Sequence, residues 1–183
     1  MEADGHNRKC LVCFYEAIGS ALFMYCILAS GGNAYAVCMG LFASIMIFGG
    51  VTGGHFNPAV TLGVYTASGE YCKNLIFMIL IIAFQLIGAV GGAALAWLAL
   101  RNEDNKIFPE NLGTLNPSNP ATGKPDEGFA FFWQDLFTQI ALTFVFVSVI
   151  MVIKDVRGRG TNADFKNNIL QAFAVVLTLY VCI

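Results

Sequence analysis

The side chains best placed to do chemistry lie in Thr52-Gly53-Gly54-His55-Phe56-Asn57-Pro58-Ala59-Val60-Thr61-Leu62-Gly63, a polar interruption between strongly apolar runs. The chemistry they suit is hydrogen bonding, with no bond made or broken. His6 and His55 have neither metal-ligand nor nucleophile spacing. Cys10-x-x-Cys13 would be half of a metal site, but no second pair or histidine doublet completes it. Cys26, Cys38 and Cys182 lie inside apolar runs, and the cysteines read as reduced packing residues. An enzyme is the weakest reading, and no cofactor, metal or nucleic-acid partner is expected.

Asn57 followed by Pro58 reads as the N-cap and first residue of a helix. Gly49, Gly50, Gly53 and Gly54 leave the preceding backbone free to turn and to be approached. The helix should run from Pro58 to Ala67 or Ser68, with Gly69 as its stop, and so covers only ~15 Å. That is half of a ~30 Å hydrocarbon core. An extended glycine-rich segment entering a half-length helix is a re-entrant loop, tolerated at membrane depth only inside protein or beside a water-filled cavity. Residues 49–68 thus point to a pore. As N-cap, Asn57 would accept a first-turn N–H through its side-chain oxygen and keep its NH₂ for the lumen. Gly53, Gly54 and His55 would expose backbone carbonyls there as acceptors. The His55 side chain reads either as an ordering group tied to neighbouring backbone or as a pH-responsive element at the mouth.

The elements around this loop must be membrane helices. The 183 residues are 57% hydrophobic and 12% charged, with mean hydropathy +0.66, which excludes an ordinary soluble domain. Apolar runs predict helices over about 11–30, 35–48, 75–100, 129–153 and 169–183, in one channel domain covering 1–183. Gly31-Gly32-Asn33 is a tight turn, and 101–128 is a long polar connection on the extracellular side. The first run is long enough to span and has no cleavage site behind it, so no removable signal peptide is expected. The final run is too short to span, and the sequence ends inside this fifth helix. With the N-terminus, the 68–74 link and the 154–168 loop on one side, that side collects Arg8, Lys9, Lys73, Lys154, Arg157, Arg159 and Lys166. The other holds Arg101, Lys106 and Lys124, so the N-terminus is expected in the cytoplasm.

Glu16-Ala17-Ile18-Gly19-Ser20-Ala21-Leu22-Phe23 is faintly similar to Gln139-Ile140-Ala141-Leu142-Thr143-Phe144-Val145-Phe146. Three helices separate the two copies, so this is the plan of an inverted repeat, with chance likeness between apolar helices as the alternative. On that plan the counterpart of Asn57 falls beyond Ile183. Asn119-Pro120-Ala121 is a decoy, since it sits in a proline-rich polar stretch with no apolar half-helix after it.

Gly53 to Leu62 resembles the first signature of the aquaporin, or major intrinsic protein, family. Glu16 and Gln85-Leu86-Ile87-Gly88-Ala89 resemble that family's patterns in helices one and three, and the likeness runs from 11 to 183. It implies an all-α membrane protein with the aquaporin-like inverted repeat, here five of six transmembrane helices plus the first re-entrant half-helix. Gln139 stands where the family usually has glutamate, Ser20 replaces a threonine, and helix two reads as shorter than usual. The second Asn-Pro-Ala loop and sixth helix fall outside these residues, and a working pore in this family needs both halves.

The resemblance further implies that Glu16 anchors the re-entrant loop and that Gln139 does so uncharged in the second half. It also implies that the half-helix dipole at Asn57 orients water and repels hydronium, a device known from aquaporin-type pores. The narrowest constriction would take Val37, or Met39 if helix two is short, with Leu179 or Tyr180. The pore-lining candidates are therefore Asn57, Pro58, Ala59, His55, Gly53, Gly54, Val37, Leu179 and Tyr180. The expected activity is passive passage of water and small neutral solutes such as glycerol or urea through a multi-pass, homotetrameric protein in a lipid bilayer, excluding protons and ions. The competing readings are a non-conducting structural, adhesive or truncated homologue, and a secondary transporter, for which the paired midplane ionisable groups are absent.

Overall fold

Apolar segments in lipid have to satisfy every backbone polar group internally, and helices do so. A computed structural model describes residues 2–69, 71–100, 129–159 and 168–183. Its helices are α1 (Glu2–Ala29), α2 (Ala34–Thr52), α3 (Pro58–Ser68), α4 (Tyr71–Leu100), α5 (Phe129–Arg159) and α6 (Asn168–Cys182), and there is no strand among the described residues. Four stretches are long and apolar enough to cross a membrane, Asn7–Ala29, Ala34–Thr52, Asn74–Leu100 and Leu136–Ile153, and Ile169–Cys182 is a shorter apolar helix. The chain is an integral, multi-pass membrane protein. The 101–128 connection, including Asn119-Pro120-Ala121, and the 160–167 connection lie outside the described residues.

Helices outlast the apolar runs that reveal them. α1 begins at Glu2, α4 at Tyr71, and α5 continues to Arg159, because hydropathy marks where lipid contact begins and says little about where backbone hydrogen bonding ends. The largest correction concerns α2. It does not stop at Phe48; Gly49 and Gly50 are helical, and the helix runs to Thr52. Helical glycine costs about 1 kcal/mol, less than stranding backbone groups in an apolar setting. The turn comes at Gly53, in the left-handed region with φ 88°, whose N–H donates to the Gly49 carbonyl at 2.9 Å. At the other end Asn33 caps α2, its side chain accepting from Ala36 N at 3.2 Å.

Small residues set the closest helix crossing. A Cβ on Gly88 would collide with the Ala17 carbonyl, and one on Gly92 with the Ala21 carbonyl. The two registers advance together, so α1 and α4 run in the same direction in near backbone contact. Gly40 of α2 leaves room for the Cys26 side chain of α1. The core is a cluster of Cys38 and Leu41 (α2), Phe56, Val60 (α3), Phe146 and Ile150 (α5) and Val176 (α6). Ile76, Ile87, Val90 and Phe144 are instead exposed on the outside of the bundle, the face a bilayer covers.

Candidate functional site

Backbone conformation fixes the loop before any side chain acts. Gly53 and Gly54 both have positive φ, and so does Phe56 at 45°, an uncommon and strained state for a bulky residue. Three contacts hold Phe56 there. Its N–H donates to Glu16 Oε2 at 2.8 Å, its ring stacks edge-on against Phe48 with centroids 6.4 Å apart, and it fills a socket in α1 that any side chain at Gly19 would occupy. His55 N–H donates to Glu16 Oε1 at 3.1 Å. Gly54 N–H donates to Thr52 Oγ1 at 2.9 Å.

Glu16 is fully buried, a position that is unfavourable in a membrane interior unless its oxygens are used. A carboxylate is acceptor-only, and here it takes two loop N–H groups and Gln85 Nε2 at 2.7 Å. Gln85 Nε2 also donates to Thr61 Oγ1 at 2.9 Å, so one amide of α4 joins α1 to the half-helix. Thr61 Oγ1 lies 3.2 Å from the Asn57 carbonyl and 3.2 Å from His55 Nδ1. The hydroxyl has a single hydrogen. When that hydrogen goes to the Asn57 carbonyl, Nδ1 must be the protonated ring nitrogen, because Oγ1 is then accepting.

This buried chain from Glu16 through Gln85 and Thr61 presents Asn57 at the start of α3. Asn57 is extended (φ −153°, ψ 125°) with Pro58 following it in the first turn. Its Oδ1 accepts from Ala59 N at 2.8 Å, and its carbonyl accepts from Thr61 N at 3.0 Å. The side-chain NH₂ makes no hydrogen bond among the described residues and sits at the positive end of an 11-residue helix. The arrangement is a fixed donor at an N-terminal helix end.

The remaining sequence candidates fall in different places. Gly53 and Gly54 line a cavity of about 160 Å³ with Gly49, Gly50, Ile150 and Gln171. The His55 side chain faces a second cavity of about 210 Å³, with Thr61, Tyr65, Asn74 and Ile81 between α3 and α4. Ala59 lines an open groove of about 880 Å³ between α3 and α5, where Gln139 is exposed beside Thr143 and Val147. Pro58 and Val37 are half-buried, Leu179 packs on the core cluster, and Tyr180 is 54% exposed. The structure thus joins Glu16, His55 and Asn57 into one network and leaves Gln139, Val37 and Tyr180 apart from it. Thr61, Phe56 and Gln171 escaped the sequence reading. Gln171 alone left a clear signal, as the polar side chain embedded in the last apolar run.

Comparison with known proteins bears on this geometry. A family profile described as "Major intrinsic protein" matches residues 9–183. Aquaporin PIP 1-3 of Oryza sativa subsp. japonica is 28% identical over 139 residues, 75% of this chain and 43% of the relative. Aquaporin Z of Brucella melitensis is 29% identical over 130 residues, 68% of this chain and 51% of the relative. Aquaporin-8 of Mus musculus is 36% identical over 96 residues, 46% of this chain and 35% of the relative. The chain spans about half the length, or less, of these curated relatives.

Proposed function

The chain belongs to the major intrinsic protein family and has its all-α membrane fold, and from that premise we propose that the full-length protein is a passive channel for water and small neutral solutes. The observation that carries the reading is Asn57. Its oxygen is committed to Ala59 N, its NH₂ is left over, and the loop carrying it is held from behind by Glu16. Water entering this donor must turn its oxygen toward Asn57. The positive helix end disfavours hydronium and cations there. Gly53 and Gly54, beside a cavity and without side chains, supply acceptors on the approach.

No covalent chemistry is involved, and selectivity is a matter of width and hydrogen-bond partners. With Val37 at the constriction, opposite Leu179 or Tyr180, the pathway is wider and less polar than one lined there by an aromatic ring, so glycerol or urea accompanies water. Gln139 anchors the second half through an amide, and the protein assembles as a homotetramer with its N-terminus in the cytoplasm.

Stopped-flow shrinkage of proteoliposomes tests the reading. Water efflux should exceed that of empty vesicles and have a low activation energy, with glycerol or urea uptake also above background. Val37→Phe should cut solute flux more than water flux. Wild-type vesicles indistinguishable from empty ones would favour a non-conducting structural homologue instead, and a wild type that passes water while rejecting both solutes would refute the wide pore.

A further inference from the structure

Phe56 stands immediately before Asn57 with a backbone φ of 45°, a region where an L side chain crowds the backbone and which a bulky residue seldom enters unaided. Two holds act on it from opposite sides of its N–Cα bond. On the near side, its N–H donates to Glu16 Oε2 at 2.8 Å and the His55 N–H donates to Oε1 at 3.1 Å, which fixes the peptide plane entering Phe56. On the far side, the buried ring lies over Gly19, where an added Cβ would overlap its Cδ1, Cε1 and Cζ atoms. Phe48 of α2 meets that ring edge-on at 76°, and Tyr15 of α1 stacks on Phe48 with centroids 5.7 Å apart. With the peptide plane and the Cβ direction both fixed, the chirality of Cα leaves one direction for the carbonyl carbon, and hence for Asn57.

We propose that Phe56 is the positioning residue for the Asn57 donor, its ring seated over Gly19 to hold the left-handed φ that aims Asn57. This rests on the channel reading. The Glu16 bonds cannot do it alone, because rotation about N–Cα leaves the Phe56 N–H where it is. The ring supplies the missing constraint. Glu16 and Gly19 are three residues apart and share a face of α1, so one helix grips the loop twice, by a carboxylate for the backbone and by a bare patch for the ring. Beyond Phe56 the chain has little slack. Pro58 has a fixed φ and confines the residue before it to extended backbone, as Asn57 is found (φ −153°, ψ 125°). A change of φ at Phe56 is therefore passed on to the Asn57 side chain and the start of α3.

Alanine and glycine at position 56 separate this role from core filling. At an ordinary buried position glycine is worse than alanine, since it fills less space and has more unfolded-state freedom to lose. If the ring serves to hold φ, the order reverses, because glycine adopts positive φ without penalty. The measurement is water permeability of the full-length protein in proteoliposomes, divided by the amount of folded channel. Phe56→Ala should lower it about fivefold, the population lost to the penalty on a left-handed L residue. Phe56→Gly should stay within about twofold of wild type. Gly19→Ala, which displaces the ring, should act like Phe56→Ala, and adding Phe56→Gly to it should restore the flux. Where the alanine protein does not fold, recovery of folded Phe56→Gly is the same result read as yield. Phe56→Gly no better than Phe56→Ala, Phe56→Ala equal to a conducting wild type, or no rescue of Gly19→Ala overturns this inference and leaves the channel standing. A wild type that passes nothing overturns the channel reading and this inference with it.

Discussion

The α1 stretch Glu16–Phe23 and the α5 stretch Gln139–Phe146 are similar in sequence, yet their surroundings differ. Glu16 is 0% exposed, meets three donors and lies beneath a loop that Gln85 and Thr61 tie down. Gln139 is exposed on the wall of an open groove, and among the described residues no loop reaches it. A polar side chain at membrane depth is stable in proportion to the partners brought to it. The residue type alone therefore does not identify an anchor. The α1 site is one because the loop and α4 converge on Glu16 and Gln85 ties in α3, and within these 183 residues the energetic weight of the two sites should differ accordingly.

Glu16→Ala probes the closed site hardest. It strands His55 N–H, Phe56 N–H and one bond of Gln85 Nε2, each unsatisfied buried group costing about 1–3 kcal/mol. Against the few kcal/mol that separate folded from unfolded states, folded protein recovered by size exclusion in detergent should fall to a small fraction of wild type. Gly88→Val comes next. The added side chain meets the Ala17 backbone, which cannot swing away as a flexible side chain would, so α1 and α4 must separate at a cost of about 1–3 kcal/mol. A lowered detergent Tm is the readout, and an unchanged Tm would show that the crossing is looser than described.

Gln85→Leu sharpens the comparison from the third element. It removes both Nε2 bonds, to Glu16 and to Thr61, while keeping the packing volume, and should cost about 1–3 kcal/mol. Glu16 retains its two loop N–H donors in this variant, so the Tm loss should be smaller than in Glu16→Ala. In a chain of these 183 residues alone, Gln139→Ala should have the smallest effect, within about 0.5 kcal/mol, as for an exposed substitution. A Gln139→Ala loss equal to that of Glu16→Ala would break the comparison and show that the two sites carry equal weight.

The half-helix was legible because Asn-Pro and Gly69 state its ends in local chemistry, cap, fixed φ and left-handed stop, and tertiary contacts have little say there. Glu16 was legible as a buried charge in an apolar run. The extent of α2 was not, because Gly49 and Gly50 carry turn propensity that a membrane helix overrides when the alternative is unpaired backbone. The Gln85–Thr61 link was hidden for a different reason. It connects residues 24 apart on two helices, and no pattern within either helix encodes it. Phe56 was passed over as one apolar residue among many, although its positive φ is where the loop stores strain.

The proposed selectivity rests most on the Asn57 NH₂, and Asn57→Asp isolates it. Aspartate caps a helix as well as asparagine does, so the bond from Ala59 N can persist while the donor facing the pathway is replaced by a negative charge. Paired stopped-flow water flux and pH-dye proton flux in proteoliposomes of the full-length protein give the decision. Wild type should carry water with no proton flux above that of empty vesicles, and folded Asn57→Asp should admit cations or protons and pass water more slowly. Unchanged water permeability and unchanged proton exclusion in a folded Asn57→Asp variant would contradict the role assigned to the half-helix.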